Sequence, residues 1–187
     1  MDIRSHPDWV VPTLSFESVA DRQRFYEQEL SAERSPQNRS WLKDRNGDGI
    51  SDFRDLGVLS EKVLLVEDRG ATGQANHSAV FADGMNQAMT GVAAGVMVWD
   101  DQVYVTAIPH LLKMPTQRRE TAIDPQKDVL LSGFGVHVAY SGHDMHGLTR
   151  GLDGRVYWSI GDKGLNVQLA NGQVVKNAHS GAVLRCE

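Results

Sequence analysis

The sequence holds a single cysteine, Cys186, so neither an internal disulfide nor an all-protein cysteine zinc site can be built from it. It has no CxxCH pair, which excludes covalently attached c-type haem within these residues. No apolar run approaches the roughly 18 residues that a membrane helix needs. The opening MDIRSHPDW has neither the basic stretch nor the apolar run of an export signal. Positive charge is also short. The 19 Lys and Arg stand against 24 Asp and Glu, a formal charge of -5, so the electrostatic footprint of a nucleic-acid binder is missing. What is present is ordinary: 187 residues, 41% hydrophobic and 23% charged, enough for one domain with a sizeable core and unlike a disordered chain.

Residues 1–43 form a lead-in. Pro7 and Pro12 around Trp9, Val10 and Val11 predict an extended segment over 1–16. Ser18 with Asp21 three residues later resembles a capping box, and neither Gly nor Pro intervenes before Pro36. That pattern predicts a helix near 18–31 that packs Phe25 and Leu30 on the core. After about residue 57 the texture changes to short β-rich runs separated by Gly, Asp and Asn: KVLLVED, SAVFADG, GVMVW, QVYVTAI, DVLLSGFG, GVHVAY, RVYWSIGD and GAVLRCE. The fold class is therefore all-β with a short N-terminal helical segment.

Two longer units overlay. Thr90-Gly91 through Val103-Tyr104-Val105-Thr106 matches His146-Gly147 through Val156-Tyr157-Trp158-Ser159, with 53 residues between the VYVT and VYWS runs. Val80-Phe81-Ala82-Asp83-Gly84 and Leu130-Leu131-Ser132-Gly133 repeat at about the same period, roughly that of one four-stranded propeller blade. Propellers close with about 4–8 blades. Residues 57–187 hold two to three, so they are expected to form an incomplete β-propeller domain. The chain is then an internal piece of a larger protein or a unit that closes by association, since the strand-like Val183–Cys186 would otherwise end on an unpaired edge.

The sharpest motif runs from Asp44 to Asp55. Asp44, Asn46 and Asp48 occupy positions 1, 3 and 5 of a cation-wrapping loop, Gly49 the turn at 6, the Ile50 carbonyl 7, Asp52 position 9 and Asp55 position 12. Clustered carboxylates repel one another unless a cation is present, and Ca²⁺ is the expected ion, in a structural role. The loop departs from an EF-hand in having Asp at position 12 and Ser51 at position 8. Asn-Gly-Asp-Gly is also an ordinary turn signal, which leaves a solvated turn as the alternative. A similar frame at Asp68–Gly73 keeps one carboxylate and is a plain turn.

His137, His143 and His146 fall within ten residues. They could ligate zinc or copper, but no fourth ligand is identifiable, and His137 sits in a Val-rich run where a satisfied core histidine is the commoner role. An acid–base role needs one histidine at a strand end facing a pocket, with Asp144 or Asp162 to orient it. Gly161-Asp162-Lys163-Gly164 lacks phosphate-cradling spacing and is a strand-end loop. Trp99, Trp158, Tyr104 and Tyr157 are strand aromatics, and His6, His77, His110 and His179 form no local pattern.

Five segments carry a family resemblance: Val80–Gly84, Gly142-His-Asp-Met-His-Gly-Leu148, Gly151-Leu-Asp-Gly-Arg-Val-Tyr157, Ile160-Gly-Asp-Lys-Gly-Leu-Asn166 and Gly181–Arg185. Over residues 40–187 the chain resembles the soluble quinoprotein glucose and sorbosone dehydrogenase-like six-bladed propellers. It is most similar to the bacterial branch of membrane-bound dehydrogenases with PVC-type haem-binding domains.

The resemblance implies an oxidoreductase that removes hydride from a sugar or alcohol to pyrroloquinoline quinone (PQQ). His143 would be the base and Asp162 a carboxylate of the substrate pocket. It also implies a cytochrome-type electron acceptor, haem c only in a separate CxxCH domain, and a periplasmic or secreted location. Gly142 stands where the glucose enzymes have Asp, the quinone's basic clamp would lie beyond Glu187, and Met114–Asp128 lacks the branch's acidic repeat. The competing expectation is a noncatalytic propeller, a carbohydrate- or protein-binding scaffold with structural Ca²⁺.

Overall fold

The computed structural model describes residues 3–117 and 126–187. It is mostly β, with several antiparallel sheets, and among the described residues none closes on itself. Strands β1 (Glu61–Glu67) and β2 (His77–Met85) form a hairpin. Next, β3 (Ala93–Trp99), β4 (Gln102–Ala107), β5 (His110–Pro115) and β6 (Asp128–Ser132) form a four-stranded meander in chain order. Strands β7 (Met145–Arg150), β8 (Val156–Ile160) and β11 (Ala182–Cys186) make a three-stranded sheet with β8 in the centre. The pair β9 (Leu165–Gln168) and β10 (Val174–Asn177) leaves it as a short hairpin.

Alternation decides which faces meet. Val103, Val105 and Ala107 of β4 turn toward the β1–β2 hairpin and pack with Phe81, Ala82, Met85, Leu112 and Met114. The opposite side of the meander contributes Ile108 and Leu111 to a core shared with Phe134, Met145, Val156, Trp158, Ile160 and Leu165. The two sheets thus share a core, and the Thr106 hydroxyl donates to the Met145 carbonyl at 2.8 Å to tie β4 to β7. The VYVT run lies in β4 and the VYWS run in β8, each the second strand of its sheet with antiparallel partners on both sides.

The helical preface covers one end. Helix α1 (Val10–Thr13) precedes α2 (Val19–Glu29), and α3 (Ser35–Asn38) follows it. The Ser18 hydroxyl accepts the Asp21 N–H as predicted, and Leu30 is fully buried. The buried face of α2 also contains Tyr26 and Arg22, which join Ile3, Trp9, Leu42, Met89 and Val138 or lie against them.

Three expectations are corrected. Residues 3–13 are not extended: 3-10 turns at Ile3–Ser5 and Pro7–Trp9 lead into α1. Pro7 opens a turn and Pro12 lies in the first turn of a helix, where a missing N–H removes no internal bond. The GVHVAY run is not a strand. Gly133 and Gly135 have φ of 117° and 77°, and a Cβ on Gly133 would lie 2.0 Å from the Asn166 carbonyl oxygen, so the chain passes beside residues 163–166 without a regular ladder. Finally, β5, β7, β9 and β10 were not predicted as strands. The Met114–Asp128 stretch falls largely outside the described residues.

Candidate functional site

Strands β7 and β8 pair with Met145 opposite Ile160, so the residues just outside that pair, 143–144 and 161–163, are brought together. The Gly161 N–H donates to the His143 carbonyl at 3.2 Å. Glycine is required there because a Cβ would lie 2.7 Å from the Cβ of His143. With the chains this close, His143 Nδ1 reaches Asp162 Oδ1 at 2.8 Å. A carboxylate accepts, so Nδ1 carries the hydrogen, and in the neutral ring Nε2 is the atom that presents a lone pair. The two side chains are 48% and 41% exposed, open to a ligand from solvent. The Tyr140 ring stands 5.3 Å from the imidazole, with the Arg4 guanidinium 5.7 Å from the phenol ring centre.

The next residue of each segment turns the other way. Lys163 Nζ donates to Asp144 Oδ1 at 2.8 Å, and both side chains are buried. One step along each chain carries the exposed His143–Asp162 pair and the following step a buried ion pair beneath it. Asp144, one of two candidates for orienting the histidine, serves this lower pair instead. The Lys163 carbonyl also accepts the His137 N–H at 2.9 Å, which anchors the turn from its far side.

Beside Asp162 lies a hollow of about 280 Å³, walled by Ile3, Val10 and Leu14 of the preface and by Tyr140, His179 and Asp162. His137 forms part of its floor. The His137 Nδ1–H donates to the Thr13 carbonyl at 2.6 Å, its ring stacks on Phe16, and burial pushes its pKa down although the Thr13 bond opposes this. It is the packed histidine expected, held in an irregular segment. His146 goes to the Gly142 carbonyl. The three histidines thus have three separate partners. Among the described residues no three His, Cys, Asp or Glu side chains gather closely enough to enclose a metal ion. His179, whose ring centre is 5.3 Å from that of His137, had no local signal in the sequence because only the return of the chain after β10 brings it to the hollow.

The acidic loop is folded on itself. Asp44 accepts the N–H groups of Gly47 and Gly49 at 2.7 and 2.8 Å, Asn46 that of Asp48, and Asp48 that of Ile50. Gly47 and Gly49 have φ of 78° and 85°, the left-handed turns such wrapping requires. Asp55 is buried and takes the N–H groups of Arg45, Asn46 and Asp52. Burial raises its pKa, but those three donors and the nearby Arg54 charge lower it by more. Arg54 contacts Asp52 at 2.7 Å and Asp48 at 2.8 Å, so a guanidinium holds the place of a cation among these oxygens. As the loop stands, its carboxylates are taken by backbone N–H groups and by Arg54, and among the described residues they do not gather three together as metal ligands. The Asp68 frame is the plain exposed turn expected, its carboxylate accepting the N–H groups of Gly70 and Gly73.

No helix among the described residues is long and apolar enough to cross a membrane. The model of a family described as a domain of unknown function (DUF7133) matches residues 9–186, and the chain belongs to that family. No curated protein and no solved structure matches the chain.

Proposed function

We propose that this DUF7133 member is part of a β-propeller of the quinoprotein dehydrogenase type, in which His143 takes the hydroxyl proton of a sugar or alcohol. The observation that carries the reading is the exposed His143–Asp162 pair at 2.8 Å, of which Asp162 lines an open hollow. Asp162 holds the Nδ1–H tautomer, so Nε2 is the atom that receives the proton. Tyr140 and the preface residues Val10 and Leu14 offer aromatic and apolar surface to the carbon skeleton, and Asp162 a polar contact for a second hydroxyl. The buried Asp144–Lys163 pair keeps the two segments in register. Support for the propeller is the pair of sheets that share a core, each with the repeated VYVT or VYWS strand second in order.

Removing the proton is half of an oxidation; PQQ, when bound, supplies the other half by accepting the hydride. The hollow's described lining presents no guanidinium or ammonium group to the carboxylates of such a quinone. These residues alone therefore do not hold PQQ, and no step here runs through it. A periplasmic or secreted setting and a cytochrome-type acceptor belong to the same proposal. The complete propeller, mixed with PQQ, a sugar or alcohol panel and a reducible dye, tests it. Dye reduction that falls about 10²–10⁴-fold in His143→Ala and is also weakened in Asp162→Asn supports the reading. Full activity in His143→Ala overturns the base assignment.

The mainly apolar lining of the hollow, with Asp162 and no Lys or Arg among its residues, favours a second reading, a noncatalytic propeller that binds carbohydrate. Saturable sugar binding without turnover, weakened equally in Tyr140→Ala and His143→Ala, distinguishes it. In either reading Ca²⁺ is proposed to displace Arg54 and draw in Asp44, Asn46, Asp48, the Ile50 carbonyl, Asp52 and, on release from its backbone bonds, Asp55. Added Ca²⁺ then raises the melting temperature and Asp48→Ala removes the rise. Identical melting in Ca²⁺ and in chelator overturns the metal site.

A further inference from the structure

Behind the Asp144–Lys163 pair, on the side away from His143, lies a second hollow of about 100 Å³. Its walls include Arg22 and Tyr26 of α2, Thr90 and Gly91 before β3, His137, and Lys163. Arg22 is 5% exposed. One of its terminal nitrogens donates to the Met89 carbonyl at 3.1 Å, while its buried Nε has no partner. A guanidinium remains protonated in proteins, so this is a charge held away from water. Asp144 is the carboxylate that acts on it, and its Oδ1 is already taken by Lys163. Asp144 Oδ2 and His137 Nε2 are likewise buried without partners.

The charges do not balance. Two buried cations, Arg22 and Lys163, share one carboxylate, and buried charge is costly unless it is paired. Arg22 and Lys163 are both among the residues that line the hollow, whereas Asp144 is not. The space admits a few water molecules or one small anion, and its polar walls suit either. We propose that this hollow is a binding site for a small oxyanion, a phosphate or a carboxylate, held by Arg22 and Lys163 with the Tyr26 and Thr90 hydroxyls alongside. The anion neutralises the surplus positive charge. It also lies against the lysine that anchors the turn bearing Asp162, so its occupancy bears on the rigidity of the exposed pair.

Thermal melting of the full chain in rising sodium phosphate, sodium acetate and sodium chloride at matched ionic strength tests the site. The expected result is a melting temperature that climbs with the logarithm of phosphate or acetate concentration above a threshold, as one-site binding requires, and does not climb in chloride. A rise in phosphate assigns the site to phosphate groups, and one in acetate alone to carboxylates. Arg22→Met loses the anion-specific rise. Equal behaviour in all three salts overturns the proposal, as does a parallel, linear rise in wild type and Arg22→Met, the mark of salts excluded from the protein surface. Should Arg22→Met fail to fold, the wild-type curve decides, with logarithmic dependence sustaining the site and linear dependence overturning it. A crystal structure at high phosphate and acetate with water alone in the hollow also overturns it.

Discussion

With Ala93 opposite Ala107 in one sheet and Met145 opposite Ile160 in the other, Gly91 and Pro109 stand in the four-stranded sheet where His143 and Asp162 stand in the three-stranded one. One position further along, Val92 and His110 stand where Asp144 and Lys163 stand. The backbone does similar work in both units. The Gly91 N–H donates to the Ile108 carbonyl at 2.8 Å in the first, and the Gly161 N–H to the His143 carbonyl at 3.2 Å in the second. Each bond pulls the entrance of the first strand onto the exit of the second. The hairpin therefore brings two short segments together wherever it occurs, and the side chains placed there decide whether the junction is packing or a candidate site. In the first unit it is filled by a glycine, a valine, a proline and a single histidine. In the second it carries four ionisable groups in two layers.

The comparison breaks most visibly at the lower layer. Lys163→Met removes the hydrogen-bonded partner of buried Asp144, leaving it only the Arg22 charge, and is expected to destabilise the chain by about 3–5 kcal/mol in denaturant unfolding. Adding Asp144→Leu restores only part of the loss, because Arg22 is then buried without a carboxylate. At the equivalent place in the first unit, His110→Leu changes stability by no more than about 1 kcal/mol. Equal losses at the two positions would show that the ion pair has no special role.

A second pair of variants separates the layers. Gly161→Ala drives a methyl against His143, whereas Gly91→Ala drives one to 2.8 Å from Asp144 Oδ1. Gly161→Ala is expected to diminish ligand binding or dye reduction more than it lowers the melting temperature, and Gly91→Ala the reverse. The same ranking for both variants would argue against a division between upper and lower layers.

The smallest effect is a shared one. His110 in the first sheet and His137 beside the second are both pushed below the ordinary value of 6.5 by burial. As pH falls, the unfolded chain takes up these protons before the folded one. The stability involved is complete above about 6.5 and is lost as pH drops from there through the lowered folded values. Melting temperature should therefore decline modestly between pH 7.5 and 5.5, and the decline should flatten in a His110→Asn, His137→Asn double variant. An unchanged slope in that variant would assign the pH dependence elsewhere.

Strong alternation made much of this legible. Val103, Val105 and Ala107, or Val156, Trp158 and Ile160, alternate inward and are bounded by turns, so β4 and β8 could be placed from sequence. The strands β7, Met-His-Gly-Leu-Thr-Arg, and β10, Val-Val-Lys-Asn, could not. They are short and mixed, and their conformation depends on neighbouring strands rather than on their own pattern. GVHVAY failed in the opposite sense, because a Val-rich run looks like a strand while two left-handed glycines break it. Asp162 was legible at the end of β8, which the pattern located, while its pairing with His143 was implied by the family resemblance, the pattern leaving Asp144 as an alternative. Arg22, Lys163 and His179 were not, since burial of a charge and the return of a distant loop are properties of the packed chain.

The alternation of the two layers has a consequence for chain length. His143 and Asp162 face outward only because Asp144 and Lys163, their immediate successors, face inward. A single-residue insertion or deletion in either turn exchanges the two layers on its own segment, turning Asp144 out and His143 in, or Lys163 out and Asp162 in. Loops ordinarily accept such changes freely. These two are expected to be among the least permissive segments of the molecule, so a scan of one-codon insertions would locate the site by its intolerance without any knowledge of a ligand.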